Sequence, residues 1–499
     1  MYENSVDCLL ITVYKGTMSK YFLSIDQGTT SSRVVLYDQD FNFLDQEQQE
    51  FKQFFPQEGW VEHKPLDIWQ SVYKCFKKVI KKSSIQPKEI ISIGITNQRE
   101  TALLWDKDGN VLDNAIVWQD RRTSKYCDAL VSDGLEKEIH GKTGLLLDPY
   151  FSATKVRWLM KEKNLKAKDC FFGTVDTFLI WKLTEGKNYQ TDITNACRTL
   201  LYNINSLDWD TDLIKLFELS GINLPRVMKN CDDFGFTGLF GGKIKISGVA
   251  GDQHASMIGQ NCFSEGSIKS TYGTGCFLMA NSGTTRKDST NRLLSTIAYQ
   301  ISDEVFYALE GSIFMAGANF QWLRDKLEFF KDVKFSEELA KKANPNTSVF
   351  LIPSFVGLGA PHWKADLKAA IFGLTRDSGK GDISLAFHEA IAFQTKEIIL
   401  SLEKDGQKII DVRVDGGLTV NSFFNQTLSN IIQKNVLCSL NTETTALGAA
   451  FLSSIGSGES DLNRIKKIWK AKQTYKPNNK YNQERFEVWR KYLKSLIMN

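Results

Sequence analysis

The chain has 499 residues, of which 42% are hydrophobic, 12% aromatic and 24% charged, so it can bury a substantial core. This composition excludes a disordered chain, a collagen and a small disulfide scaffold, and the length favours two domains over one. Lysine and arginine total 62 against 58 for aspartate and glutamate, and this balance argues against a nucleic-acid or membrane-surface partner and in favour of small-molecule ligands.

The N-terminal residues lack the features of a secretion signal. Acidic residues precede the short apolar stretch at 8–14, where a signal peptide would be basic. Because no run approaches the ~18 apolar residues of a spanning helix, we expect a cytoplasmic protein without membrane insertion. The nine cysteines include no Cys-x-x-Cys pair, which indicates free thiols in a reducing compartment. Residues 1–17 are interpreted as an N-terminal extension, since Met18 directly precedes the first strand pattern.

The first strand patterns after the N-terminal extension predict a β-hairpin. Residues 21–25 and 33–37 are its two strands, and 26–30 form the tight turn between them. Residues 41–44 are predicted to continue the meander. The alternation of such strands with helical patterns along the chain predicts an α/β architecture.

The next two elements bring polar residues to the end of a strand. Pro65 is predicted to open an amphipathic helix whose apolar stripe runs from Ile68 to Ile80. A buried strand at 89–95 then leads directly into the polar segment 96–100. Because ligands bind at the carboxyl ends of strands in open α/β sheets, we expect this segment to line a crevice.

A second unit of similar plan begins after about residue 257. Residues 267–271 and 276–280 are predicted strands around a Gly/Thr turn, which repeats the hairpin near the N-terminus. A further strand at 409–414 leads into a Gly-Gly segment, and the chain is predicted to end in an amphipathic helix. We therefore expect one domain over 18–257 and a second over 258–499 with a helical tail.

The first Gly/Thr turn has the residues of a phosphate site. The segment 26–33 combines one carboxylate, four hydroxyls, turn amides and a guanidinium. A bare Asp26 would repel a polyphosphate, so this interpretation requires Mg²⁺ between them. The alternative is a polar hairpin turn in which Asp26 caps its own backbone.

Three other segments carry polar groups whose role is ambiguous when each is taken alone. Asp252 follows an apolar strand through a glycine, and could be a general base or a buried structural residue. Arg99 and Glu100 could hold a small polar molecule or form a surface pair. The Gly-Gly pair within 415–421 permits close approach to a base or ribose, but an ordinary loop has the same sequence.

Taken together, these segments resemble the FGGY family of carbohydrate kinases, and are most similar to its members that phosphorylate glycerol. The resemblance covers about 20–454. The matching strings are 24–33 (SIDQGTTSSR), 59–63 (GWVEH), 94–101 (GITNQRET), 114–119 (NAIVWQ), 148–152 (DPYFS), 251–253 (GDQ) and 271–277 (TYGTGCF), with family signatures at 150–158 and 357–376. The resemblance implies an α/β fold of two related domains of the actin, hexokinase and heat-shock-chaperone (ribonuclease H-like) type, with a nucleotide cleft between them.

The resemblance also implies residue roles. Residues implied to bind glycerol are Arg99, Glu100, Trp118, Tyr150, Asp252, Gln253 and Phe277, with Asp252 also the catalytic base. Residues implied to surround ATP are Thr29, Thr30, Ser31, Arg33, Thr274, Gly317, Gln321, Gly417 and Asn421. Asp26 is implied to lie on the Mg²⁺ side.

The implied reaction is direct in-line transfer of the γ-phosphoryl group of MgATP to a terminal hydroxyl of glycerol. The alternatives are a kinase for another polyol or ketose on the same fold, and a non-enzyme class, an actin-like or chaperone-like ATPase module. A homo-oligomer, dimer or tetramer, is also implied. Two segments depart from the family pattern: 362–370, and 239–246, which is shorter than the loop that binds fructose 1,6-bisphosphate in some bacterial members.

Overall fold

The computed structural model describes residues 20–478 and 481–498, so the predicted N-terminal extension lies outside the described residues. The strands of the first half are β1 (Tyr21–Gln27), β2 (Ser31–Asp38), β3 (Phe43–Glu50), β4 (Gln53–Phe54), β5 (Glu62–His63), β6 (Ile90–Asn97), β7 (Leu103–Trp105), β8 (Ala115–Ile116), β9 (Phe171–Gly173), β10 (Gln190–Asp192), β11 (Tyr202–Asn203), β12 (Asp208–Trp209), β13 (Arg226–Met228), β14 (Phe236–Thr237) and β15 (Ile244–Gly251). Its helices are α1 (Pro65–Ser83), α2 (Ser124–Ser132), α3 (Glu136–Thr143), α4 (Ser152–Glu162), α5 (Val175–Leu183), α6 (Ile193–Ala196), α7 (Thr211–Leu216) and α8 (Asp252–Gly259).

The second half continues the alternation of strands and helices. Its strands are β16 (Ser267–Tyr272), β17 (Cys276–Gly283), β18 (Leu294–Tyr299), β19 (Phe306–Ile313), β20 (Phe350–Ile352), β21 (Ala370–Phe372), β22 (Asp411–Asp415), β23 (Val436–Ser439) and β24 (Ala471–Tyr475). Its helices are α9 (Gly317–Asp325), α10 (Ser336–Ala340), α11 (Lys380–Lys404), α12 (Ser422–Ile432), α13 (Thr444–Gly456), α14 (Leu462–Ile468) and α15 (Glu484–Met498). Short 3₁₀ turns lie at Pro87–Glu89, Ala167–Asp169, Val333–Phe335 and Gly417–Val420.

Each half contains one large mixed sheet, and the two sheets share a core arrangement. The first has the order β14-β15-β6-β1-β2-β3, and the second β18-β19-β17-β16-β22-β23-β24. In both sheets, the first strand of a hairpin also pairs with a parallel strand. Strand β1 pairs antiparallel with β2 and parallel with β6, and β16 pairs antiparallel with β17 and parallel with β22. The predicted α/β fold class is confirmed.

A helix of the second half covers the first sheet. Helix α13 packs across the parallel strands β6 and β15 so closely that glycines are required beneath it. A Cβ atom added at Gly94 would lie 2.1 Å from the Ala449 carbonyl oxygen, and one at Gly248 would lie 2.2 Å from the Ser453 nitrogen. Both distances are far shorter than a van der Waals contact, so these two strands have no room for a side chain under α13.

The predicted elements occur close to their expected positions. Helix α1 begins at Pro65 and buries its predicted stripe, and α15 buries Phe486, Trp489 and Leu493. Strand β3 is longer than predicted and starts later, because Phe41 adopts a left-handed backbone (φ 62°) in the preceding turn. The eight described cysteines are free thiols. Within the described ranges, no helix is both long and apolar enough to cross a membrane.

Candidate active site

The parallel strands of the first sheet end at the same edge. In register, Gln27 of β1 lies beside Asn97 of β6, and Asn97 lies beside Gly251 of β15. Each strand end is followed directly by polar residues. The Gly/Thr turn at 28–30 follows β1, Arg99 and Glu100 follow β6, and Asp252 follows β15. The sheet therefore brings together three segments that are far apart in sequence, at the edge where α/β proteins bind ligands.

The first turn, residues 28–30 between β1 and β2, is braced by hydrogen bonds. The Gly28 amide donates to the Ser31 carbonyl (2.9 Å), and the Gln98 side-chain amide donates to the Gly28 carbonyl (3.2 Å). The turn is shorter than predicted, since β1 continues through Gln27. Thr29 and Ser31 are half-buried and Thr30 is exposed, which leaves hydroxyls and turn amides at the edge of the site.

Asp26 and Arg33 lie directly opposite each other across this hairpin. Arg33 Nη2 is 3.4 Å from Asp26 Oδ2, and Arg33 also hydrogen-bonds Glu443. Burial raises the pKa of Asp26 to about 6; Arg33 opposes this rise, and Glu443 and Asp252 add to it. Asp26 therefore pairs with a cation across the hairpin instead of capping its own backbone, and a second cation would relieve its repulsion from neighbouring carboxylates.

The donor set around Asp26 fits Mg²⁺ delivered with a nucleotide. No group of three or more His, Cys, Asp or Glu side chains in the described part of the chain could hold a metal ion. Mg²⁺ characteristically uses one or two carboxylates together with phosphate oxygens and waters. A single partly exposed carboxylate beside a hydroxyl-bearing turn agrees with that kind of site and not with an all-protein cage.

The second turn, residues 273–275 between β16 and β17, is held against the start of α9. The Gly273 carbonyl accepts from the Gly317 amide (2.9 Å), and the Thr274 carbonyl accepts from the Ala316 and Ala318 amides (2.9 and 3.1 Å). A Cβ atom at Gly317 would lie 2.6 Å from the Gly273 carbonyl oxygen. Glycine at 317 is therefore needed for this contact, and it places the predicted residues Thr274 and Gly317 together.

The loop after β22 approaches the same turn. Gly416 has a left-handed backbone (φ 93°), and a Cβ atom there would lie 2.5 Å from the Tyr272 carbonyl oxygen. The close backbone approach expected of the Gly-Gly pair is thus made to protein by Gly416, whereas a Cβ at Gly417 would have no atom within 4 Å. Asn421 caps α12 by accepting from the Phe424 amide (2.9 Å). The exposed Gln321 lies on α9, four residues after Gly317.

Three aromatic rings from separate segments meet beside the strand ends. The Trp118 ring centroid is 5.7 Å from that of Tyr150 and 5.8 Å from that of Phe277, both edge-on. Trp118 Nε1 also donates to Thr29 Oγ1 (3.0 Å), which links this aromatic wall to the first turn. The structure thus brings together three of the predicted substrate-side residues, one of them from the second half.

Arg99 and Glu100 are buried, with side chains 2% and 1% exposed, so the surface-pair interpretation is wrong. Arg99 Nε is 3.4 Å from Asp252 Oδ1, and Arg99 Nη2 is 3.4 Å from the Tyr150 hydroxyl. Asp252 is the first residue of α8, and its side chain is 30% exposed. Asp252 therefore has a buried cationic partner and an open face, and the open face lets a ligand come within hydrogen-bond reach of its carboxylate.

Sequence reasoning missed three buried charged residues in this site. Arg198 and Glu310 have fully buried side chains, and Lys269 is buried beside Gln253, whose side-chain oxygen accepts its hydrogen bond. Burial favours a higher pKa for Glu310, but Arg198 and Arg99 outweigh it and hold that pKa at about 2. The available signal was a single charged residue inside an otherwise uncharged strand, as at Lys269 in β16 and Glu310 in β19.

A fourth missed residue supports the segment that carries Tyr150. Lys155 of α4 is fully buried, and its ammonium donates to the carbonyls of Pro149, Tyr150 and Phe151 at 3.1, 2.5 and 2.9 Å. Three carbonyl acceptors satisfy all three donors of the ammonium. Lys155 therefore fixes the backbone from which the Tyr150 ring projects.

Comparison with known proteins identifies the family. The model of the N-terminal domain of the FGGY family of carbohydrate kinases matches residues 21–259, and that of its C-terminal domain matches 268–457. A glycerol kinase of Marinomonas sp. is 47% identical over 92% of this chain and 95% of that protein. A glycerol kinase of Listeria monocytogenes is 44% identical over 95% of this chain and 98% of that protein.

Solved structures agree with this match. A crystal structure of Plasmodium falciparum glycerol kinase with ADP superposes with a TM-score of 0.88 at 35% identity, and the match covers 96% of this chain and 99% of that one. A gluconate kinase from Lactobacillus acidophilus superposes with the same TM-score at 23% identity, covering 96% of this chain and 98% of that one. The second likeness concerns the fold alone.

Proposed function

The chain belongs to the FGGY family of carbohydrate kinases, and from that premise we propose that it transfers the γ-phosphoryl group of ATP to a terminal hydroxyl of glycerol. The family uses ATP as its phosphoryl donor. The observation that carries the proposal is Asp252, which has an open face and lies 3.4 Å from buried Arg99 at the meeting point of the polar strand ends. High identity to two glycerol kinases along most of their length favours glycerol over other acceptors.

The substrate side suits a small triol. Glycerol has three hydroxyls, which need donors and acceptors, and a carbon edge that an aromatic ring can contact. In this proposal Arg99 donates, Glu100 and Gln253 accept, and the three-ring wall of Trp118, Tyr150 and Phe277 contacts the carbons. An analogue without one hydroxyl would leave a buried polar group unpaired, and the cost of that loss would be the source of specificity.

The nucleotide side would use both turns. Around the phosphates would lie Thr29 and Thr30 of the first turn, Ser31 and Arg33 of the adjoining strand β2, and Thr274 of the second turn. Gly317, Gln321, Gly417 and Asn421 would lie around the nucleoside, where Gly417 has open space on its Cβ side. Asp26 would hold Mg²⁺ that accompanies ATP, and the metal would supply charge neutralisation at the phosphates.

The reaction follows from the position of Asp252. Its carboxylate accepts the proton of the terminal hydroxyl, whose oxygen lone pair forms a bond to the γ-phosphorus. The bond from that phosphorus to the bridging oxygen breaks, and its electrons leave with ADP, so no covalent enzyme intermediate forms. Phosphoryl transfer depends mainly on positioning and charge stabilisation. Arg99 holds the acceptor near Asp252, and closure of the cleft would exclude water as a competing acceptor.

The test replaces the carboxylate of Asp252 with an amide. Asp252→Asn should lower kcat by about 10³-fold or more, because the hydroxyl would lose its proton acceptor, while ATP binding measured by calorimetry stays within about twofold. Asp303→Asn is the control, since Asp303 is almost fully exposed and pairs with Lys229 on the surface. Near-normal turnover by Asp252→Asn would contradict the proposed role of this residue.

A panel of acceptors tests the substrate itself. With ATP present, wild-type protein should form a phosphorylated product from glycerol far faster than from xylulose or other polyols. Preference for another acceptor would support a kinase of the same family that acts on another polyol or ketose. ATP hydrolysis without any phosphorylated acceptor would support an actin-like or chaperone-like ATPase module. The division at residue 257 and the cytoplasmic location remain proposals from the sequence patterns. The homo-oligomeric state remains a proposal from the family resemblance, and light scattering in solution tests it.

A further inference from the structure

Glu310 links the second half of the chain to the proposed glycerol site. It lies on β19, beside Met279 of β17, the strand that also carries Phe277. Its fully buried carboxylate faces two arginines of the first half: Arg99 Nη1 is 2.7 Å from Glu310 Oε2, and Arg198 Nη2 is 2.9 Å from Glu310 Oε1. One carboxylate thus contacts two cations that come from other parts of the chain.

The contacts of Glu310 determine how the Arg99 guanidinium is oriented. Arg99 presents both terminal nitrogens to the two Glu310 oxygens, at 2.7 and 3.3 Å, which is a bidentate arrangement. Its Nε atom, on another edge of the same plane, is 3.4 Å from Asp252. Because a guanidinium is planar and rigid, anchoring one edge fixes the direction of the others.

The four buried charges also balance one another. Arg198 Nε donates to Glu100 (2.6 Å) and its Nη2 donates to Glu310, so the two arginines and the two glutamates form a neutral quartet. Without the Glu310 charge, Arg99 and Arg198 would repel each other, and the nearest other carboxylate for Arg99 would be Asp252 at 3.4 Å. A closer ion pair with Arg99 would hold Asp252 away from the acceptor hydroxyl.

We propose that Glu310 is a positioning residue of the glycerol site, contributed by the second half of the chain, which anchors Arg99 toward the acceptor hydroxyls and away from a tight pair with Asp252. This inference rests on the proposed function and deepens it. It makes glycerol recognition depend on the docking of the two halves, because Phe277 and Glu310 come from adjacent strands of the second sheet. Specificity for a triol would then require both halves.

The test uses Glu310→Gln, which removes the charge and keeps the shape. The KM for glycerol should rise about 30-fold or more, since one partner of a buried charge pair is lost, while the KM for ATP stays within about twofold. Discrimination should also weaken: the ratio of kcat/KM for glycerol to that for propane-1,2-diol or propane-1,3-diol should fall about tenfold. Glu310→Asp should recover part of both losses, because it restores the charge.

The matched control is Glu389→Gln. Glu389 is also a buried glutamate of the second half, on α11, and it pairs with Arg485 at 2.6 Å. Loss of that pair should lower the melting temperature without raising the KM for glycerol. If Glu389→Gln raises that KM as much as Glu310→Gln does, or if Glu310→Gln keeps the wild-type KM and diol discrimination, the positioning role is overturned.

A double variant keeps the inference testable if Glu310→Gln does not fold. Arg198→Met with Glu310→Gln leaves one arginine and one glutamate of the quartet, so the buried charge stays balanced. Its KM for glycerol should remain raised, because Arg99 still lacks its anchor, and a wild-type KM would overturn the inference. Failure of the wild-type protein to phosphorylate glycerol at all would instead contradict the proposed function, so the two failures are distinguishable.

Discussion

The two Gly/Thr turns occupy equivalent places in the two sheets but differ in chemistry. Each turn connects the two strands of an antiparallel hairpin, and the first strand of that hairpin also has a parallel neighbour. The first turn is flanked by Asp26 and Arg33, opposite charges in register with each other. The corresponding pair beside the second turn, likewise one position back from the last register pair, is Thr271 and Phe277, and neither residue is charged.

Backbone contacts show the converse difference. Around the second turn, Cβ atoms at Gly275, Gly317 and Gly416 would each lie within 2.8 Å of a carbonyl oxygen. At the first turn, a Cβ at Gly28 would meet only the Ser31 carbonyl oxygen, at 3.3 Å. The first turn therefore offers charge to a ligand, and the second offers a tightly fitted backbone surface. A nucleotide has both charged phosphates and a flat neutral base, so two unlike turns suit its two ends.

The largest effect in this comparison is expected from the charge at the first turn. Asp26→Asn should lower kcat by about 10²- to 10³-fold, because the carboxylate proposed to hold Mg²⁺ is lost. The Mg²⁺ concentration for half-maximal rate should rise as well. Steady-state assays over a Mg²⁺ titration measure both, with Asp45→Asn as the control, since Asp45 pairs with Lys82 on the surface. An unchanged Mg²⁺ dependence would remove Asp26 from the metal side.

A smaller effect is expected from shape in the loop after β22, which packs beside the second turn. Gly417→Ala adds a methyl group where no protein atom lies within 4 Å and where φ is not positive, so the melting temperature should not change. If the nucleoside lies there, the KM for ATP should rise about tenfold through steric exclusion. Gly238→Ala, also in open space, is the control and should leave both values unchanged. An unaltered KM for ATP in Gly417→Ala would place the nucleoside elsewhere.

The smallest effect concerns a buried histidine in each half of the chain. His388 packs against Phe320, Phe423 and Phe424, and burial lowers its pKa from 6.5 to about 3; burial lowers that of His63 to about 4. Between pH 3 and 6.5 the unfolded chain binds a proton at position 388 that the folded chain does not, so stability rises with pH across that range.

His388→Phe should remove this contribution. The loss of unfolding free energy between pH 7 and pH 5 should be about 2 kcal/mol smaller in the variant than in the wild type. Urea titrations followed by tryptophan fluorescence at the two pH values measure it. Between pH 7 and 8.5 the two proteins should show the same slope, and equal slopes below pH 6.5 as well would mean that His388 is protonated in the folded state.

Much of the fold was predictable because its signals are local. Pro65 and the apolar stripe that follows it define α1, and the two Gly/Thr turns mark the hairpins, since a turn and an amphipathic period depend on residues near in sequence. The family itself was predictable from strings such as 24–33 and 271–277, and the comparisons confirm it. The roles of individual site residues stay predictions.

The charged interior was not predictable from local patterns. Arg99 and Glu100, two adjacent opposite charges, suggested a surface pair, yet both are buried. Their charges are paired by residues distant in sequence: Arg198 bonds to Glu100 from 98 residues away, and Glu310 bonds to Arg99 from 211 residues away. Such a cluster is stable only when all its members are present, so no single segment contains the reason for its burial.

The sequence by itself determined the two-unit plan, the turns and the residue types available for phosphate and hydroxyl chemistry, because these follow from short-range spacing. Only the tertiary structure decided which of those residues meet. Parallel pairing of β1, β6 and β15 set Asp26, Arg99 and Asp252 at one edge, and the placement of β19 set Glu310 against Arg99. The physical reason is that a buried charge depends on the partners that surround it in space, and those partners are distant along the chain.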